Sequence, residues 1–322
     1  KNLMNKLISV AFILFAIISC KQEKSHVIDV SNIEVSVIVD RFEQQFYASN
    51  DSTLQGVKSK YPYLFPINNP DSIWLHKIND KNEILLFQKT QQIFEDFSNE
   101  EKQIKSLFQH VKYYHPTFKS PKIITLITDL DYNNKVMYAD SLLFVSLDMY
   151  LGKNDEVYMD FPPYLSKNYE KSQLVVDVAK SISEKYLQEK STRQFMDIIV
   201  SEGKKLYMVD CYLPEVIDSQ KIGYTQNELD WITTNEAQIW KYFIENKLLY
   251  STDAELNKRF VEDAPFSKFY IDIDKDSPGR VGVWLGWQIV RSYMNNNSVT
   301  LQQLLQTSGE EIFKNSKYKP KK

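Results

Sequence analysis

One carboxylate lies on the apolar face of a helix. Phe195, Ile198, Ile199, Glu202, Leu206 and Val209 recur at three- and four-residue spacing, which predicts a helix over about 192–209 with Glu202 on its core side. An isolated buried charge is very costly, so Glu202 needs a partner. Two readings fit: a metal ligand or catalytic acid, or a carboxylate at the edge of the stripe that reaches water or pairs with a lysine. The helix before it, over about 173–187, carries Asp177 and Lys180. Imidazole is scarce, with only 4 His in the chain. His110 and His115 are separated by about 140° around a helix and cannot easily share a metal. His115 also precedes Pro116, which puts it outside the helix. Both are expected to be structural.

The segment Ser277–Met294 is the most distinctive stretch. Pro278 and Gly279 mark a turn into a helix. Gly282 and Gly286, one turn apart, leave a bare face on which another backbone can approach closely. Trp284 and Trp287 flank that face with large apolar area, and Gln288, Arg291 and Tyr293 add polar ends. Two readings stand here as well. One is tight core packing with a buried arginine paired to a carboxylate. The other is a recognition groove of Arg280, Trp284, Trp287, Gln288 and Arg291, the arginines clamping a carboxylate or phosphate.

Elements must hold these residues in place, and the composition bounds what they are. The chain has 322 residues, 43% hydrophobic, with 39 basic and 42 acidic side chains. That balance excludes a polybasic nucleic-acid binder, and the apolar content excludes disorder over most of the length. With 2 Cys a disulfide scaffold is excluded too, and 8 Gly argue against Gly-rich phosphate loops. Lys1 and Lys6 precede an apolar run, Leu7 to Ile18, too short to span a bilayer but suited to a secretory signal. The run ends in Ile17-Ile18-Ser19-Cys20, which resembles a bacterial lipobox. Residues 1–20 are therefore expected to be a lipoprotein signal, Cys20 the acylated mature N-terminus, 21–32 a flexible tether and 33–322 a single domain. Anchoring is through lipid, since no other stretch reaches the length of a span. Cys211, in an apolar context, reads as a small core residue.

Alternation over Ile33 to Val37 predicts a first strand, and Phe42 with Phe46 a short helix. Helical patterns follow over 71–79 and 82–96. Ser98-Asn99-Glu100-Glu101 is a capping box opening a further helix. Lys122 to Thr128, Val136 to Ala139 and Leu142 to Leu147 read as strands. From about 173 the chain is mostly helical, with more capping boxes at Thr225–Glu228 and Ser308–Glu311. The fold class is α+β: helices and a small sheet in the N-terminal half, then a mainly helical half.

This order of elements, with Ser201-Glu202-Gly203 on the second of two helices, resembles the gluzincin metallopeptidase scaffold. There the first helix bears H-E-x-x-H and the Glu of an E-G helix is the third zinc ligand. Arg280-Val281-Gly282-Val283-Trp284-Leu285-Gly286-Trp287 resembles the Gly-rich aromatic helix near the end of such domains. Where the histidines would fall, near Val176 and Lys180, there are none, and Asp177 would take the Glu position. Val and Lys offer no imidazole or thiolate to zinc. The resemblance thus implies a degenerate site of Asp177, Lys180 and Glu202 without metal, the Lys180 ammonium standing in for zinc and pairing with Glu202.

Over nearly the whole length the chain resembles the GldB family of gliding-motility lipoproteins of the Bacteroidetes. The resemblance lies in the lipobox, SLDMYLG (Ser146–Gly152), DSQKIGYT (Asp218–Thr225), IENKLLYSTD (Ile244–Asp253) and SPGRVGVWLGWQIVRSYM (Ser277–Met294). It implies a cell-envelope lipoprotein needed for gliding and for the linked type IX secretion apparatus. Its partners would be a membrane, through the lipid, and other envelope proteins, with no cofactor beyond the lipid on Cys20. A peptidase-like hydrolase, or a peptide- or cell-wall-binding module, is the alternative on the same scaffold. The identity of the partner, the membrane concerned and the oligomeric state are left open.

Overall fold

Lys122 to Leu126 is an unbroken run of β-branched residues and leucine after its first lysine, which suits a strand covered on both faces. In the computed structural model, which describes residues 28–139, 141–187, 193–271 and 274–321, this run is an inner strand of a four-stranded mixed sheet. The strands are β1 (Val39–Arg41), β2 (Lys122–Leu126), β3 (Val136–Ala139) and β4 (Leu142–Ser146), in the order β1-β2-β4-β3. β1 and β4 run parallel to β2, and β3 pairs antiparallel with β4. Ile123 and Ile124, both fully buried, point to opposite faces, as the two-residue period requires. Ile123 enters the main core. Ile124 enters a smaller one with Phe46, Leu54, Tyr61, Phe65 and Ile78, contributed largely by α1 (Phe42–Tyr47), α2 (Leu54–Lys60) and α3 (Asp71–Asn79).

Two local expectations change. The first strand forms at Val39–Arg41, not over 33–37. The earlier stretch is held by side chains of α5 (Ser98–Tyr114), which follows α4 (Lys81–Ile93). Gln109 Nε2 donates to the Ile33 carbonyl at 3.0 Å and Lys112 Nζ to the Glu34 carbonyl at 2.8 Å. Its alternation marks a half-buried chain without a ladder. The capping box at Ser98 does not close either: Phe97, at φ 38°, occupies the cap position, and Ser98 Oγ donates to Asp96 Oδ2 at 3.0 Å. The box at Thr225 closes fully, and Ser308 Oγ accepts the Glu311 N–H at 3.3 Å.

The C-terminal half is mostly helical: α6 (Pro163–Ser166), α7 (Leu174–Tyr186), α8 (Phe195–Tyr212), α9 (Asp218–Ile222), α10 (Gln226–Glu245), α11 (Glu255–Phe260), α12 (Val281–Asn296), α13 (Leu301–Gln306) and α14 (Gly309–Ser316). α8 and α12 pack backbone against backbone. A Cβ on Gly286 would overlap the Ile199 carbonyl, and one on Gly203 would overlap the Gly286 carbonyl. The bare face predicted for α12 is therefore the face that α8 occupies. The fold class is α+β, with the small sheet in the N-terminal half. From Ile33 onward the chain is one compact unit. No helix of the described residues is long and apolar enough to cross a membrane. The signal sequence and Cys20 lie outside the described residues.

Candidate functional site

Asp177 and Lys180 are three apart on α7 and share a face, while Val175, Val178, Ala179 and Ile182 bury the opposite side in the core. The Asp177 side chain is 10% exposed. Lys135 Nζ lies 2.6 Å from its Oδ2, Lys180 Nζ 3.9 Å from its Oδ1, and the Tyr150 hydroxyl donates to Oδ2 at 3.0 Å. Burial opposes ionisation of Asp177, but the two ammonium groups and these hydrogen bonds hold its carboxyl below the usual range. Burial pushes the Lys180 ammonium down to about 8; Asp177 pulls it back up, while Arg280 and Lys135 repel it further down.

Lys135 and Tyr150 are delivered by a strained loop and its brace. Asp129 and Leu130 both adopt left-handed backbone, φ 59° and 62°. The buried Asp148 carboxylate holds them there, accepting the N–H of Thr128 at 3.2 Å and of Leu130 at 2.8 Å. No cation offsets Asp148 in these bonds, and burial raises it to about 6 against the pull of those N–H groups. Asp148 and Tyr150 both come from the SLDMYLG stretch. On the far side, Arg280 sits at φ 63°, donates to the Ile222 carbonyl at 3.1 Å, and brings Nε within 3.6 Å of Asp263. The Tyr224 hydroxyl fixes the preceding Gly279 carbonyl at 2.7 Å.

The other predicted site residues go elsewhere. Glu202 pairs with Lys205 at 2.8 Å within its own helix and is 24% exposed. Lys180 takes Asp177 instead, so the expected Lys180–Glu202 pair is corrected: Glu202 lies at the edge of the α8 stripe, near a closer cation. Trp284 and Trp287 are buried, not groove walls. Arg291 Nε and Nη2 donate to the two oxygens of Asp210, each at 2.7 Å. Its Nη1 and Nη2 donate to Asp218 at 2.6 and 2.8 Å. Lys221 adds 2.9 Å to Asp210, and Trp287 Nε1 donates to the same carboxylate at 2.9 Å. Arg291 stacks on the Trp287 ring, 3.7 Å from its centre. The structure thus chooses the packed reading for Arg291 and both tryptophans. Gln288 is half-buried beside them, its Nε2 without a partner among the described residues.

His110 Nδ1 lies 2.9 Å from the Ser106 carbonyl. His115 stacks on Tyr186 with Nε2 2.6 Å from the Tyr212 hydroxyl, and burial lowers it to about 4. Burial pushes the Cys211 thiol up to about 12. No group of three or more His, Cys, Asp or Glu among the described residues could hold a metal ion. Lys135, Tyr150, Asp210 and Asp218 were not singled out from the sequence. Two of them, Tyr150 and Asp218, lie in stretches that carry the family resemblance, and that was the available signal.

Fold and site together define an α+β protein with a largely buried carboxylate held among cations. The family model described as "Gliding motility protein GldB" matches residues 23–320, and the chain belongs to that family. It is thus a gliding-motility-related protein. No curated protein matches it. No solved structure matches it either.

Proposed function

We propose that this chain is a lipid-anchored protein of the cell envelope, held to a membrane through an acylated Cys20 and facing the periplasm. It supports gliding, and the linked type IX secretion machinery, by binding partner proteins without hydrolysing them. Family membership supports the gliding part, and Ile17-Ile18-Ser19-Cys20 supports the anchor. The observation that carries the non-hydrolytic part is the state of Asp177. A general base works best with its pKa near the operating pH and with reach to a reacting proton. Asp177 is held below the usual range, its Oδ2 is bonded by Lys135 and Tyr150, and its Oδ1 faces the Lys180 ammonium at 3.9 Å. Such a carboxylate organises cations.

The edge of the sheet favours one form of contact. β3 has a neighbour on one side only among the described strands, and Met137 on it is 39% exposed. A partner segment laid along that edge gains main-chain hydrogen bonds. The test is fractionation and pull-down from detergent-solubilised envelopes. Cys20→Ser is expected to leave the membrane pellet, and continued sedimentation overturns the anchor. Peptide hydrolysis by the purified protein that disappears in Asp177→Asn overturns the non-hydrolytic reading.

A further inference from the structure

The Asp177 cluster holds more positive charge than its own carboxylates neutralise. Lys135, Lys180 and Arg280 surround Asp177 and Asp263. Asp177 receives both lysines, while Asp263 meets Arg280 only at 3.6 Å and is itself 64% exposed. The Lys180 ammonium stops 3.9 Å from its carboxylate, beyond hydrogen-bond distance, and is 27% exposed. Burial lowers it to about 8, Asp177 pulls it back up, and Arg280 and Lys135 push it down, so its one near carboxylate offsets it without a hydrogen bond.

A second observation points to a ligand. Tyr169 is 2% exposed, and its hydroxyl has no hydrogen-bond partner among the described residues. Lys135 Nζ lies 5.9 Å from the centre of its ring. Burial first, then Tyr132, Asp263 and Asp177, push its ionisation upward, so the hydroxyl lies within the field of this cluster. Buried polar groups in native proteins are almost always paired, and an exception calls for an explanation. A group that satisfies both a spare hydroxyl donor and an excess of cation is an anionic oxygen.

Topology selects the anion. Lys135 immediately precedes β3 and so stands at that strand's N-terminal end. A strand added antiparallel to β3 finishes, with its C-terminus, at the same end. We infer that Lys135, Lys180 and Arg280, with the Tyr169 hydroxyl as donor, bind the C-terminal carboxylate of a partner peptide laid antiparallel along β3. This inference rests on the partner-binding reading above and names the group that the partner presents.

The test uses the full acylated chain in detergent, immobilised, and a random hexapeptide pool made once as free acids and once as C-terminal amides. Retained peptides are counted by mass spectrometry. Free acids are expected to be retained at least about tenfold over amides, the worth of a charge-assisted hydrogen bond. Lys180→Gln is expected to abolish that preference. Tyr169→Phe is expected to weaken retention of free acids while leaving Tm unchanged or raised, a split that a purely structural hydroxyl does not give. Equal retention of the two pools, or retention of neither, overturns the inference. So does inorganic phosphate binding at the site with no acid preference, which identifies a lone-anion pocket. If wild-type and Lys180→Gln chains co-purify the same envelope proteins, the carboxylate site falls and the partner reading stands. If neither co-purifies any, the partner reading itself falls.

Discussion

The Arg291 cluster and the Asp177 cluster are made of the same kinds of side chain and end in different states. In the first, two carboxylates, Asp210 and Asp218, are bonded directly by Arg291 and Lys221, with Lys321 also in the field of Asp218, and the indole N–H of Trp287 adds a further bond. Against burial, which opposes it, Arg291, Lys221 and Lys321 hold Asp218 below the usual carboxylate range. Donors and acceptors match, so the cluster ties α8, α9 and α12 together and leaves little for a ligand to bond. In the second, three cations meet two carboxylates, the Lys180 contact is long, and a buried hydroxyl has no partner among the described residues. The first is built to be complete and the second to be completed. The balance of partners, more than the presence of charge, separates a structural ion cluster from a binding site.

The contrast can be broken most severely at the backbone contact beneath the Arg291 cluster. Gly286→Ala forces α12 off the Ile199 carbonyl and is expected to cost about 4 kcal/mol or more, since backbone cannot yield as a flexible side chain can. Chemical denaturation measures this, and a loss under about 1 kcal/mol would show that the helices can separate freely. Arg291→Ala comes next. It leaves Asp210 and Asp218 without their bidentate partner and uncovers Trp287, at about 3 kcal/mol. Arg291→Lys is expected to recover only part of this, because an ammonium cannot fork to two carboxylates.

In the Asp177 cluster the same operation is expected to behave oppositely. Lys180→Met removes a charge that the fold holds uncomfortably, so stability at pH 7 stays within about 1 kcal/mol of wild type. Its pH dependence sharpens the point. Lys180 titrates at about 8 in the folded chain against 10.5 ordinarily, so the unfolded chain binds more protons between those values and this group's contribution to stability rises with pH through that window. The difference between wild type and Lys180→Met, followed from pH 7.5 to about 10 by denaturation, isolates that rise. A flat difference would mean that Lys180 is not held under strain. The smallest effect is expected from Glu202→Ala, within about 0.5 kcal/mol, because its partner is a half-buried neighbour one turn along the same helix.

Much of the fold was legible because it is written in local periodicity. The helix read over 71–79 matches α3, and the strand over 136–139 matches β3, residue for residue. The α12 glycines announced a close backbone approach before any partner was known. The site was legible only in part. Asp177 and Lys180 share a face by spacing alone, but nothing local says that Lys135, 42 residues earlier, reaches the same carboxylate. Glu202 misled because a stripe of apolar residues fixes the face of a helix and not how deeply each member of it is buried. For Arg291 and its tryptophans the sequence supports two readings, because a packed arginine and a binding arginine have the same neighbours in sequence.

By itself the sequence determined the α+β class, most element positions, the family and the glycine face of α12, because each depends on spacing along the chain or on motifs within it. The tertiary structure decided which carboxylate each cation meets. Charge pairs act over a few ångströms, and only folding brings residues such as Lys135 and Asp177, or Asp210 and Arg291, within that range.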